Sequence, residues 1–102
     1  MSMLNFPSDR PLDVACLGRL AVDLYAQQIG CSLEEAGSFA KYLGGSSGNM
    51  AFGTARLGLR SAMISRVGDE QNGRFLVETL RREGCDTSQV QVDVQRLTGM
   101  VL

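Results

Sequence analysis

A chain of 102 residues has the length of one domain, and 44 % hydrophobic with 21 % charged residues is the balance of an ordinary globular protein. Its formal net charge of -1 lacks the basic excess that binding a phosphate backbone requires, so nucleic acid is not expected as a partner. There is no histidine, which excludes a Ser-His-Asp triad, a histidine base and histidine metal ligation within these residues.

In chain order, Met1 to Pro11 carries two prolines and mixed charge, with no apolar run long enough for a signal peptide or a membrane span. Residues 1–12 are therefore expected to be a loose leader, with no membrane partner. Val14-Ala15-Cys16-Leu17, ended by Gly18, is a short apolar run without alternation, which predicts a strand buried on both faces. Ser32-Leu33-Glu34-Glu35 fits a helical capping box, yet Gly37 and the Phe39, Tyr42 and Leu43 that follow favour extended chain. A turn and then a strand is the expectation.

Gly44 to Asn49 reads as a glycine turn feeding a helix whose Met50, Thr54 and Leu57 share one face and which Gly58 closes. Ala62 to Val67 is a second buried-strand candidate. Gly73 to Glu83 is a second helix with Leu76 and Leu80 facing inward and Gly84 as its stop. Val90, Val92 and Val94 alternate as in a strand, and Thr98 to Leu102 opens another apolar run. Strands alternating with helices predict the α/β class, with a parallel sheet under helical cover. Cys16, Cys31 and Cys85 are odd in number and far apart, so they are read as reduced and the compartment as cytoplasmic.

Glycine is concentrated between Gly44 and Gly84, and the candidate chemistry lies there. Gly68 to Gly73 has phosphate-loop glycine spacing, but Arg74-Phe75 stands where Lys-Ser/Thr is needed, and no GxGxxG follows the first strand. Both nucleotide-loop readings are set aside. Gly44 and Gly45 before a helix start allow a polar ligand to approach the main chain, although the same glycines serve equally as a plain turn. Asn49 adds an amide that both donates and accepts, as polyol recognition needs. Asp23 lies just past the carboxyl end of the first strand, the edge where open α/β sheets bind ligands; a solvated loop aspartate is the competing reading.

Read together, Gly18 to Asp23, the stretch Tyr42-Leu43-Gly44-Gly45-Ser46-Ser47-Gly48-Asn49-Met50-Ala51, Arg56-Leu57-Gly58, and Val67-Gly68-Asp69 with Gly73 resemble the ribokinase-type (PfkB) carbohydrate kinases. The resemblance runs from about Asp13 to Leu102, with Ser47 where the family usually has Gly, Ala or Pro. Phe39 to Gly45, Phe52 to Leu59 and Cys85-Asp86-Thr87 are most similar to the branch acting on a sugar acid in inositol breakdown. Kinases of the same family for ribose, fructose, 2-keto-3-deoxygluconate or a nucleoside are the alternatives. A non-catalytic sugar-binding or dimerisation module is another.

The resemblance implies a ribokinase-like three-layer α/β sandwich with a small β lid from about residues 22–43 and 98–102. It also implies phosphoryl transfer from ATP with Mg2+ to a primary hydroxyl, a small-molecule sugar acid as substrate, and a dependence on a monovalent cation and homodimerisation through the lid as open options. By position, Asp23, Gly44, Gly45 and Asn49 carry over as sugar ligands. The catalytic aspartate, the anion hole and most of the nucleotide pocket belong to a later Gly-Ala-Gly-Asp type motif. Residues 13–102 are thus expected to be the N-terminal part of such a kinase, cut before its catalytic and ATP residues, with no catalytic residue and no metal ligand of their own.

Overall fold

A computed structural model describes residues 7–102. Of the leader expected over 1–12, residues 1–6 lie outside the described residues. Pro7 to Leu12 forms no helix or strand, yet it is anchored: the Arg10 guanidinium donates to the carbonyls of Pro7 and Leu12 at 2.9 and 3.0 Å and pairs with Asp13 at 3.1 Å.

The elements run β1 (Val14–Leu17), β2 (Ala21–Ala26), a 3-10 turn (Leu33–Glu35), β3 (Phe39–Gly44), α1 (Ser46–Arg56), β4 (Ser61–Gly68), α2 (Gln71–Arg82), β5 (Asp86–Asp93) and β6 (Met100–Val101). Two three-stranded sheets result. The main sheet has the order β1-β4-β5 and is parallel throughout, with Val14 opposite Ser61 and Cys16 opposite Met63. The second has the order β3-β2-β6, antiparallel between β2 and β3 and parallel between β2 and β6. Asp13 fastens the main sheet at its start: its carboxylate accepts the Arg60 amide at 2.8 Å and the guanidinium at 3.0 and 3.1 Å. Those bonds to Arg60 hold the Asp13 carboxyl well below the usual carboxylate range.

The core lies between the main sheet and the two helices. Cys16, Met63 and Val67 meet Ala51 and Ala55 of α1 and Leu76 and Leu80 of α2, while Leu20, Val22 and Cys85 close the ends. The other face of the sheet is open. Leu17 is 75 % exposed and Ile64 36 %, so β1 is covered on one face and not on both as its composition suggests. The described residues thereby supply the sheet and one helical layer of the three-layer arrangement. Among them no helix is long and apolar enough to cross a membrane.

The capping-box sequence at Ser32 gives only the single 3-10 turn; Ser32 makes no side-chain cap, and the chain is extended again from Phe39. The helix starts fall at Ser46 and Gln71, as expected within a residue. The buried face of α1 differs from the expected one. Met50 and Leu57 are exposed, and Gly48, Ala51 and Ala55 face the core instead. The base of the second sheet presses on α1 there: a Cβ on Gly48 would lie 2.8 Å from Leu20 Cδ1, so only small residues fit. Thr54 of the expected face instead bonds Ser61 at 2.7 Å. In α2, Leu76 and Leu80 are fully buried as the spacing predicts, and Gly84 follows at a φ of 88°. The last strand of the main sheet begins at Asp86, earlier than Val90, and Val94 lies beyond it and exposed, because an edge strand has only one neighbour to cover it.

Candidate functional site

The second sheet stands at the carboxyl end of β1, in the position of the expected lid. Its register places Ala21 opposite Gly44, Asp23 opposite Tyr42 and Tyr25 opposite Ala40. Side chains alternate across a strand, so the sheet has two unlike faces. One carries Val22, Leu24 and Leu43 into the core, with the Lys41 ammonium 4.4 Å from the centre of the Phe75 ring. The other carries Asp23, Tyr25 and Tyr42, the two rings 5.3 Å apart, tilted at 52° and more than half exposed.

Asp23 is half-buried, and its carboxylate rests on the Cα of Gly44: a Cβ there would lie 2.3 Å from the carboxylate atoms. Glycine at 44 is what leaves room for it. Among the described residues no hydrogen bond or ion pair engages the Asp23 carboxylate, in contrast to Asp13, Asp86 and Asp93, whose carboxylates all accept hydrogen bonds. Gly45 follows at a φ of 88°, in the left-handed region that glycine favours, and a Cβ on it would lie 2.4 Å from the Arg19 carbonyl oxygen. The turn after β1 and the start of α1 are thus built against each other. The Gly48 amide donates to that same carbonyl at 3.1 Å, and the Ser47 hydroxyl donates to the Leu17 carbonyl at 2.9 Å. Ser47, the departure from the family pattern, therefore stitches the turn, and Gly18 makes room for it.

Asp23, Gly44 and Gly45 come together at the base of the lid. Asn49 stands one helical turn further on, exposed, beside a groove of about 350 Å3 that Leu43, Phe52, Phe75 and Thr79 also line, on the side of the lid facing α1 and α2. A larger cleft of about 520 Å3 opens where β1 ends beside the middle of β4 and β5, lined by Gly18, Arg19, Ile64, Ser65, Gln91 and Gly99 among others. It lies past the carboxyl end of β1, over the open face of the main sheet.

The residue pattern alone did not reveal the clamp that carries β6 into the lid. Glu70 caps α2 by accepting the Gly73 amide at 2.7 Å, and it also accepts the Thr98 hydroxyl at 2.7 Å and the Thr98 amide at 3.3 Å. Thr98 Oγ1 in turn accepts the Gly68 amide at 2.9 Å. The Thr98 hydroxyl bond, followed by the Gly73 and Thr98 amides, pulls the Glu70 carboxyl below its ordinary range. An acidic residue three before Gly73 was a legible N-cap signal, but its partner lies 28 residues away. Among the described residues no three Asp, Glu, Cys or His side chains are grouped so as to hold a metal ion.

The family model for pfkB carbohydrate kinases matches residues 11–102. The 5-dehydro-2-deoxygluconokinase of Geobacillus thermodenitrificans is 47 % identical over 93 residues, which cover 91 % of this chain and 28 % of that enzyme. The enzyme of the same name from Clostridium tetani is 46 % identical over 90 residues, 88 % of this chain and 26 % of its own. Among solved structures, a sugar kinase from Pyrococcus horikoshii in complex with ATP superposes with a TM-score of 0.81 at 37 % identity, over 85 % of this chain and 28 % of that one. The fructokinase of Halothermothrix orenii gives 0.79 at 35 %, over 87 % and 32 %. The chain thus spans less than a third of the length of the relatives it matches, and within that span both its sequence and its fold agree with theirs. It belongs to the pfkB family of carbohydrate kinases.

Proposed function

We propose that these residues form the sugar-binding part of a kinase that transfers a phosphoryl group from ATP to 5-dehydro-2-deoxy-D-gluconate, the sugar acid of inositol breakdown. The observation that carries this reading is the Asp23 carboxylate, held half-buried over Gly44 with no donor to satisfy it among the described residues. A carboxylate placed that way accepts hydroxyls from a polyol. Gly44 and Gly45 let the substrate approach the main chain; Asn49, in the first turn of α1, lines the groove on the other side of that sheet and is a sugar ligand by family resemblance alone. The relatives that support the substrate carry it in their names.

In this reading the chain's residues bind and orient. Positioning is a large share of phosphoryl-transfer catalysis, because the reacting oxygen must be held in line with the phosphorus. ATP, when bound, supplies the phosphoryl group. No described residue is assigned as its base or its anion site. The enzyme works in the cytoplasm, which the unpaired state of Cys16, Cys31 and Cys85 fits.

Asp23→Asn in the full-length protein tests the proposal. Losing a charged acceptor costs about 1.5 to 3 kcal/mol, so kcat/KM for the sugar should fall about 10- to 150-fold while the nucleotide Kd moves less than about threefold. Wild-type sugar kinetics in a variant of matched melting temperature would sink it. A panel of 5-dehydro-2-deoxygluconate, ribose, fructose and 2-keto-3-deoxygluconate tests the substrate, and the first should give the highest kcat/KM.

A further inference from the structure

We infer that Arg19 reads the carboxylate of the sugar acid, opposite the hydroxyls that Asp23 accepts; this rests on the function proposed above. Three observations converge on it. The first is position: Arg19 lies between Gly18 and the buried Leu20, and its carbonyl is locked by the Gly48 amide and packed against Gly45. Its Cα is therefore fixed beside the glycine turn, and an exposed side chain next to an inward-facing leucine points away from the core. The second is the cleft of about 520 Å3 that Arg19 lines with Ser65, Gln89 and Gln91 beside apolar Leu17, Leu20 and Ile64; it is roomy enough for a six-carbon acid, and Arg66 is the other charged residue of its lining.

The third is the charge inventory. Arg66, the other cation of that cleft, is paired with Asp93 at 3.2 Å; of the cations outside the cleft, Arg10, Arg56, Arg60 and Arg74 have a carboxylate within 4 Å, and Lys41, Arg81, Arg82 and Arg96 do not. Arg19 has no acidic partner and no hydrogen bond from its guanidinium among the described residues. Arg19 in the cleft and Asp23 on the neighbouring strand, four residues apart in the chain, supply a cation and an acceptor complementary to a molecule with hydroxyls and one anionic end. A guanidinium also binds a carboxylate through two parallel N–H donors, which fixes the orientation of the substrate.

The same guanidinium could meet a phosphate of the nucleotide instead, and the test separates the two. Binding constants are measured in the full-length protein for 5-dehydro-2-deoxygluconate, for its neutral analogue with the carboxylate reduced to a hydroxymethyl group, and for ATP. Arg19→Met should weaken the acid about 10- to 100-fold, leave the neutral analogue within about twofold, and leave ATP within about twofold. Arg19→Lys should restore part of the affinity for the acid, because it keeps the charge and loses the fork. Equal weakening of the acid and the neutral analogue would overturn the inference, as would a loss confined to ATP. Should Asp23→Asn impair sugar use while Arg19→Met leaves the preference for the acid intact, Arg19 loses its role and the proposed function stands. A wild-type protein that binds neither sugar removes both.

Discussion

The two sheets of this molecule solve different problems with the same number of strands. The main sheet is parallel, has both helices on one face, and takes its order from Met63, Val67, Leu76 and Leu80 buried against one another. The lid sheet anchors Ala21, Val22, Leu24 and Leu43, and turns Asp23, Tyr25 and Tyr42 outward with no group among the described residues bound to the carboxylate. Free energy of folding is concentrated in the first, and unsatisfied chemistry in the second. A strand with one face in the core and one face free can present a carboxylate at a fixed height without asking the fold to bury it.

The sharpest way to test that division is to shorten a side chain on each sheet. Leu80→Ala, at a fully buried position, should destabilise by about 2 to 5 kcal/mol in chemical denaturation. Tyr25→Ala on the open lid face should stay within about 0.5 kcal/mol. Equal losses would mean that the lid shares the core's cooperativity.

The two neighbouring glycines divide the roles more finely. Gly45→Ala forces a positive φ on alanine and drives its methyl into the Arg19 backbone, which should cost about 1 to 3 kcal/mol of stability. Gly44→Ala has no such backbone conflict, and its methyl meets only the movable Asp23 carboxylate. Its stability should change by less than about 1 kcal/mol, whereas kcat/KM for the sugar should fall about tenfold, close to the lower bound for Asp23→Asn. A Gly44→Ala protein with intact kinetics would separate the carboxylate's position from its use.

The smallest effect concerns acid. The Asp13 and Glu70 carboxyls are both depressed in the fold, the first tying β1 to β4 and the second tying β6 to the main domain. A depressed folded pKa stabilises above the unfolded carboxylate pKa of about 4 and is lost as pH falls through that value toward the folded one. Melting temperature should therefore decline as the pH is lowered from about 5 to about 3, and Asp13→Asn should flatten part of that decline. A melting temperature unchanged across that window would remove both ties from the list of stabilising contacts.

Much of the main sheet was legible in the residues themselves. The βαβ alternation, the helix starts at Ser46 and Gln71, and the inward Leu76 and Leu80 all follow from period and caps, because large apolar residues advertise the face they occupy. The face of α1 was misread for the opposite reason: it is buried through Gly48, Ala51 and Ala55, whose small side chains carry almost no signal, while Met50 and Leu57 carry a false one. A β lid over about residues 22–43 and 98–102 came from the family resemblance, and the pairing of β2 within it was not legible, since alternation in Ala21 to Ala26 is weak and its partners are distant. Asp23 beside Gly44 could not be read locally either. The two are brought together by an antiparallel register across 21 positions, and only that register shows that the glycine is there to seat the carboxylate.

The paired tyrosines on the open lid face have one more consequence, an optical one. The chain has two tyrosines and no tryptophan, and both tyrosines are this pair, so all of its tyrosine absorption and emission originates on the lid. In this chain the sheet that presents Asp23 is also the part that shines.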